Sequence, residues 1–112
     1  LMVTGGFKTQ AQAINALASD NADVIGLARS LVLDPNLPHR WHPDGFAKHG
    51  DIPFPRFDAP PEGGITAWYT MRLTQLGEDQ DGQSGDLPSA IAAYAARDAE
   101  RSRLWRAHFN GK

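Results

Sequence analysis

Apolar residues gather at the start of the chain in short runs bounded by turn formers. Leu1-Met2-Val3-Thr4 is continuous and β-rich and stops at Gly5-Gly6, which predicts a buried strand ending in a tight turn. Thr9 follows with Gln12 three residues on, a capping-box pattern. Ala11 to Ser19 then predicts a helix with Ile14, Leu17 and Ala18 on one face, broken by Asp20-Asn21. Ala22 to Gly26, centred on Val24 and Ile25, predicts a second strand. The three elements have the size of one βαβ unit, which predicts parallel strands joined by a right-handed crossover.

Beyond them the pattern changes twice. Leu27 to Leu33 predicts a short helix halted at Asp34-Pro35, and Pro38 to Trp41 one more turn. Residues 43–64 hold Pro43, Pro53, Pro55, Pro60 and Pro61, which predicts irregular chain anchored by Ile52, Phe54 and Phe57. Ile65 to Leu76 then reads as a helix whose stripe is Ile65, Tyr69, Leu73 and Leu76, bordered by Trp68 and Arg72. A polar turn over 77–86 (Gly77, Asp79, Asp81, Gly82, Gly85) leads to Asp86, placed to cap a last helix from Leu87 to Phe109. Pro88 is tolerated in its first turn, and Arg97 to Arg106 give it a charged side.

Two parallel strands do not make a stable sheet alone, because parallel sheets are covered on both faces. The expected fold class is therefore α/β: the last strand–helix–strand units of a TIM (β/α)8 barrel, with a helical C-terminal extension. A whole barrel takes about 250 residues, against 112 here. Residues 1–42 are the expected barrel units, 43–64 the irregular segment and 65–112 the extension. Leu1 opens inside a strand without an initiator Met, so an upstream barrel portion is expected as the partner.

Composition narrows the chemistry. The net charge of −2 gives no basic field for nucleic acid or an anionic membrane. No apolar run approaches the roughly 20 residues of a membrane span. The absence of Cys removes thiol chemistry and disulfides and suits a reducing cytoplasm. The informative stretches are Val3-Thr4-Gly5-Gly6-Phe7 and Ile25-Gly26-Leu27-Ala28-Arg29. In each, small residues fall where a strand gives way to a loop, so an anion can approach backbone N–H groups closely. Arg29 adds a planar, permanently charged fork suited to phosphate oxygens.

At these residues the chain resembles the old yellow enzyme family of NADH:flavin oxidoreductases. The resemblance rests on Leu1-Met2-Val3-Thr4-Gly5-Gly6-Phe7, on Asp23-Val24-Ile25-Gly26-Leu27-Ala28-Arg29-Ser30-Leu31 and on Asp34-Pro35-Asn36-Leu37-Pro38. The Trp68-Tyr69 helix also looks like that family's C-terminal extension. The resemblance implies an FMN phosphate held at Gly5, Gly6, Ala28 and Arg29, with NAD(P)H as reductant and an activated C=C bond in a small-molecule substrate as acceptor. The family's substrate-gripping pair and its Tyr proton donor match no position here, so the isolated chain is expected to be inactive. One departure is Ala28, where many members have Gly. Its N–H serves if φ there is negative, whereas a positive φ costs on the order of 1 kcal/mol.

Other barrels that hold a phosphate remain alternatives: a 2-hydroxy-acid oxidase, or an isomerase with a phosphorylated substrate. So does a non-catalytic truncated module that binds a partner through its strand edges. His39 and His42 have a spacing metals can use, but proline neighbours and no third ligand favour ordinary surface histidines. His49 and His108 have no partner nearby in sequence. Trp41, Trp68 and Trp105 are expected to be packed in the interior.

Overall fold

The computed structural model describes residues 1–42, 52, 54–80 and 85–110. They fall into two compact units, Leu1–Arg56 and Phe57–Lys112.

In the first unit, β1 (Met2–Thr4) and β2 (Val24–Gly26) flank helix α1 (Gln10–Ala18). The strands pair in parallel, Met2 with Val24, Val3 with Ile25 and Thr4 with Gly26. α1 begins where the capping box demands: Thr9 Oγ1 accepts from Gln12 N at 3.1 Å, and Gln12 Oε1 accepts from Thr9 N at 3.1 Å. It ends in a Schellman motif with Asp20 in the left-handed region (φ 61°). Asp20 N donates to Leu17 O and Asn21 N to Ala16 O, which satisfies carbonyls the helix end leaves open. α2 (Arg29–Leu33) and α3 (Leu37–Trp41) follow. Asp34 and His42 close them in extended conformation, each ahead of a proline. Ala13, Ala22, Val32 and Leu37 form the small buried core of this unit, with Leu37 only 1% exposed.

The expected barrel portion is overturned. Among the described residues the chain is mixed α/β and mostly helical, with a two-stranded sheet, order β1-β2. The strands are three residues long, and Met2 (62%) and Val24 (53%) are exposed. A barrel needs a closed ring of strands with both faces covered, and these two form no part of one. The apolar runs correctly announced strands; they carried no information on how many strands the sheet has.

From Phe54 to Gly63 the chain forms no helix or strand, as its prolines dictate. Pro43, His49, Pro53, Asp81 and Gly82 lie outside the described residues. The second unit is a pair of helices, α4 (Gly64–Gly77) and α5 (Leu87–Asn110). α4 also ends in a Schellman motif on an aspartate, Asp79 (φ 55°), with Gln80 N donating to Gln75 O at 2.8 Å. Asp86 caps α5 as the sequence predicts: its Oδ1 accepts from Ser89 N at 2.8 Å.

The face that α4 buries differs from the predicted stripe. Gly64, Ala67, Trp68, Tyr69 and Arg72 are buried, while Leu73 is 54% exposed. The buried face is thus turned toward the expected border residues. Its aromatic centre decides this: Trp68 sits edge-on to Tyr69 (5.0 Å) and against Phe57 (5.5 Å), and donates Nε1–H to Gly85 O at 3.0 Å. Trp105 departs from expectation too, being 65% exposed, whereas Trp68 is buried and Trp41 half-buried.

Candidate functional site

The parallel register fixes where the loops emerge. Both strands end at the same side of the sheet, so Gly5-Gly6-Phe7 leaves β1 beside Leu27-Ala28-Arg29 leaving β2. A hydroxyl ties the two loops together: Ser30 Oγ donates to Phe7 O at 3.1 Å, and Ser30 is 3% exposed. Sequence reasoning missed Ser30. It stands inside the motif that carried Arg29, but a serine after an arginine announces nothing by itself.

Gly5 and Gly6 both take positive φ, 95° and 79°, which side chains rarely adopt. A Cβ on either would meet nothing within 4 Å, so open space lies over this turn. Gly26 is glycine for another reason. A Cβ there would come 2.8 Å from Thr4 Cβ, so the neighbouring strand can approach only because position 26 has no side chain. Ala28 has φ −122°, in the negative range, so Ala in place of Gly carries no left-handed strain and its amide is retained.

Charge is sorted across the sheet. Arg29, the first residue of α2, is exposed, and Lys8 is exposed one residue beyond Phe7; both lie at the loop end of the strands. Asp20 and Asp23 precede β2, at the opposite end. Lys8 Nζ lies 5.5 Å from the centroid of the Phe54 ring. The backbone amides of Lys8 and Thr9 are already used, donating to Gln12 Oε1 at 2.9 and 3.1 Å.

Next to the loops an apolar groove of about 360 Å³ runs between α1 and α3, lined by Ile14, Leu17, Ile25, Leu27, Leu31 and Trp41 among others. Its size lies in the range of small-ligand pockets. Gln10 also lines it, and its Nε2 donates to Trp41 O at 3.1 Å. Leu27 lines the groove and Ala28 belongs to the loop, so groove and loop share consecutive residues.

His39 and His42 are both exposed, on α3 and at its C-cap. Among the described residues no group of three or more His, Asp or Glu is placed to hold a metal ion. Among them, too, no helix is long and apolar enough to cross a membrane. No family model, curated protein or solved structure matches the chain.

Proposed function

We propose that Gly5, Gly6, Ala28 and Arg29 hold the phosphate of FMN, and that the chain supplies this element to a cytoplasmic NAD(P)H-dependent flavin oxidoreductase acting on activated C=C bonds. The observation that carries this reading is the Ser30–Phe7 hydrogen bond, which ties the two glycine- and arginine-bearing loops together at one end of the sheet. A dianion asks for converging N–H donors and a permanent cation. Two adjacent glycines at positive φ, under open space, suit the first demand. Arg29, with Lys8 two residues beyond Gly6, suits the second. An apolar groove beginning at the next residue favours a phosphate ester with a large non-polar body over inorganic phosphate.

FMN supplies the hydride chemistry when bound. The chain's own residues do something narrower. The loop amides and the Arg29 guanidinium bind and orient the phosphate, and Ser30 positions one loop against the other. None of these side chains moves a proton, so this chain by itself reduces no alkene.

The test is a titration of the chain with FMN and with riboflavin, which lacks the phosphate, followed by flavin fluorescence. FMN is expected to bind at least about tenfold tighter, a difference of about 1.4 kcal/mol, with inorganic phosphate competing. Arg29→Ala should bring FMN down toward riboflavin. Equal affinity for the two flavins, or none for either, overturns the reading.

A further inference from the structure

Two long cationic side chains flank the hydrogen bond that ties the loops. Lys8 directly follows Phe7, whose carbonyl accepts from Ser30, and Arg29 directly precedes Ser30. Traced through that bond, covalent geometry keeps the Cα atoms of Lys8 and Arg29 within about 12 Å of each other. An extended Lys or Arg side chain spans about half that distance, so both charged heads can reach one group placed between them.

The surroundings of Lys8 leave its charge in place. Its Nζ lies 5.5 Å from the centroid of the Phe54 ring, and Phe54 is half-buried. An aromatic face attracts an ammonium through its quadrupole and adds no negative charge. Among the described residues no carboxylate forms an ion pair with Lys8. Asp20 and Asp23 stand at the opposite end of the sheet. The ring also restrains a stem that is otherwise free to rotate, so less rotamer freedom is left to lose when an anion binds.

The number of cations decides which anion is preferred. One guanidinium matches one negative charge, so Arg29 alone serves a sulfate ester or a phosphodiester as well as a phosphate monoester. A phosphate monoester carries close to two negative charges above its second pKa of about 6. A second cation is what separates it from the monoanions.

Resting on the phosphate reading given above, we propose that Lys8, held by the Phe54 ring, is the second cation of the loop site, and that it selects a terminal phosphate monoester over singly charged esters of the same shape.

Flavin fluorescence titrations at low salt, at about pH 8 where the phosphate is a dianion, test this with three ligands of graded charge: FMN, the sulfate monoester of riboflavin, and riboflavin. FMN is expected to bind roughly fivefold tighter than the sulfate ester, the upper range for an exposed charge pair, and added salt should narrow the gap. Lys8→Met should remove most of that preference while leaving riboflavin affinity unchanged, because the side chain is exposed. Lys8→Arg should restore it. Phe54→Leu should reduce the preference where Lys8 is present and have no further effect in Lys8→Met. FMN no tighter than riboflavin in the unaltered chain overturns the phosphate reading, and this inference with it. FMN tighter than riboflavin but level with the sulfate ester, or a preference that survives Lys8→Met, overturns the role of Lys8 alone. An equal effect of Phe54→Leu with and without Lys8 refutes the ring as its holder.

Discussion

The two units are held by different means. In Leu1–Arg56 the buried apolar side chains are few, namely Ala13, Ala22, Val32 and Leu37, while Met2, Ile14, Leu17 and Val24 are exposed. What fixes this unit is backbone geometry, namely the strand register, the capping box, the left-handed turn at Asp20 and the hydroxyl bridge from Ser30. In Phe57–Lys112 the fixed point is side-chain volume, with Trp68 packed against both Phe57 and Tyr69 and only 7% exposed. A region built on hydrogen bonds and close backbone approach holds loops in one arrangement, which an anion site requires. A region built on aromatic volume holds a helix pair, and residues 98–110 of the longer helix are exposed.

That contrast can be broken most sharply at Trp68. Trp68→Ala removes a buried ring, two aromatic contacts and the hydrogen bond to Gly85. It should destabilise the second unit by about 3–5 kcal/mol, seen as a shift of the urea transition followed by circular dichroism. If the units are fixed independently, FMN affinity per folded molecule stays the same. A coordinated loss of flavin binding in still-folded protein would erase the distinction between them.

The next largest effect belongs to the first unit. Gly26→Ala places a methyl group 2.8 Å from Thr4 Cβ, and the strands must separate. Overpacking of this kind costs about 1–3 kcal/mol, readable in thermal denaturation. Thr4→Gly in the same chain should recover part of it. Because the loops leave from these two residues, flavin affinity should fall together with stability, unlike in Trp68→Ala.

The smallest effect is electrostatic. Hydrogen bonds from the Ser89 side chain and backbone hold the Asp86 carboxyl below its ordinary value, and Arg103 does the same for Glu100. A carboxyl whose folded value is depressed stabilises the fold above its unfolded value and loses that contribution as pH falls through the folded value. The helicity of α5 should therefore be level from neutral pH down to the ordinary carboxylate range and decline below it. Asp86→Asn, which keeps a cap without the charge, should flatten the decline. An unchanged acid profile in Asp86→Asn would remove the cap from the account.

Local chemistry was legible in the sequence wherever one or two neighbouring residues decide the backbone. Thr9 with Gln12 announced the start of α1, and Asp86 the start of α5. Pro35 announced the stop of α2. Gly5-Gly6 announced a turn, and positive φ at both explains why glycine stands there. Less of the candidate site was legible. Gly26 read as part of an anion turn, whereas Thr4 across the ladder gives it a packing role. Ser30 carried no mark, because its partner, Phe7 O, is brought near only by strand pairing.

Taken alone, the sequence determined the order of elements, their caps and stops, and the small and charged residues at the strand ends, because each depends on residues within a few positions of one another. Only the tertiary structure decided the extent of the sheet, the face α4 turns inward and the exposure of Trp105. Those depend on which distant surfaces meet, and periodicity shows that a residue wants burial without showing what buries it.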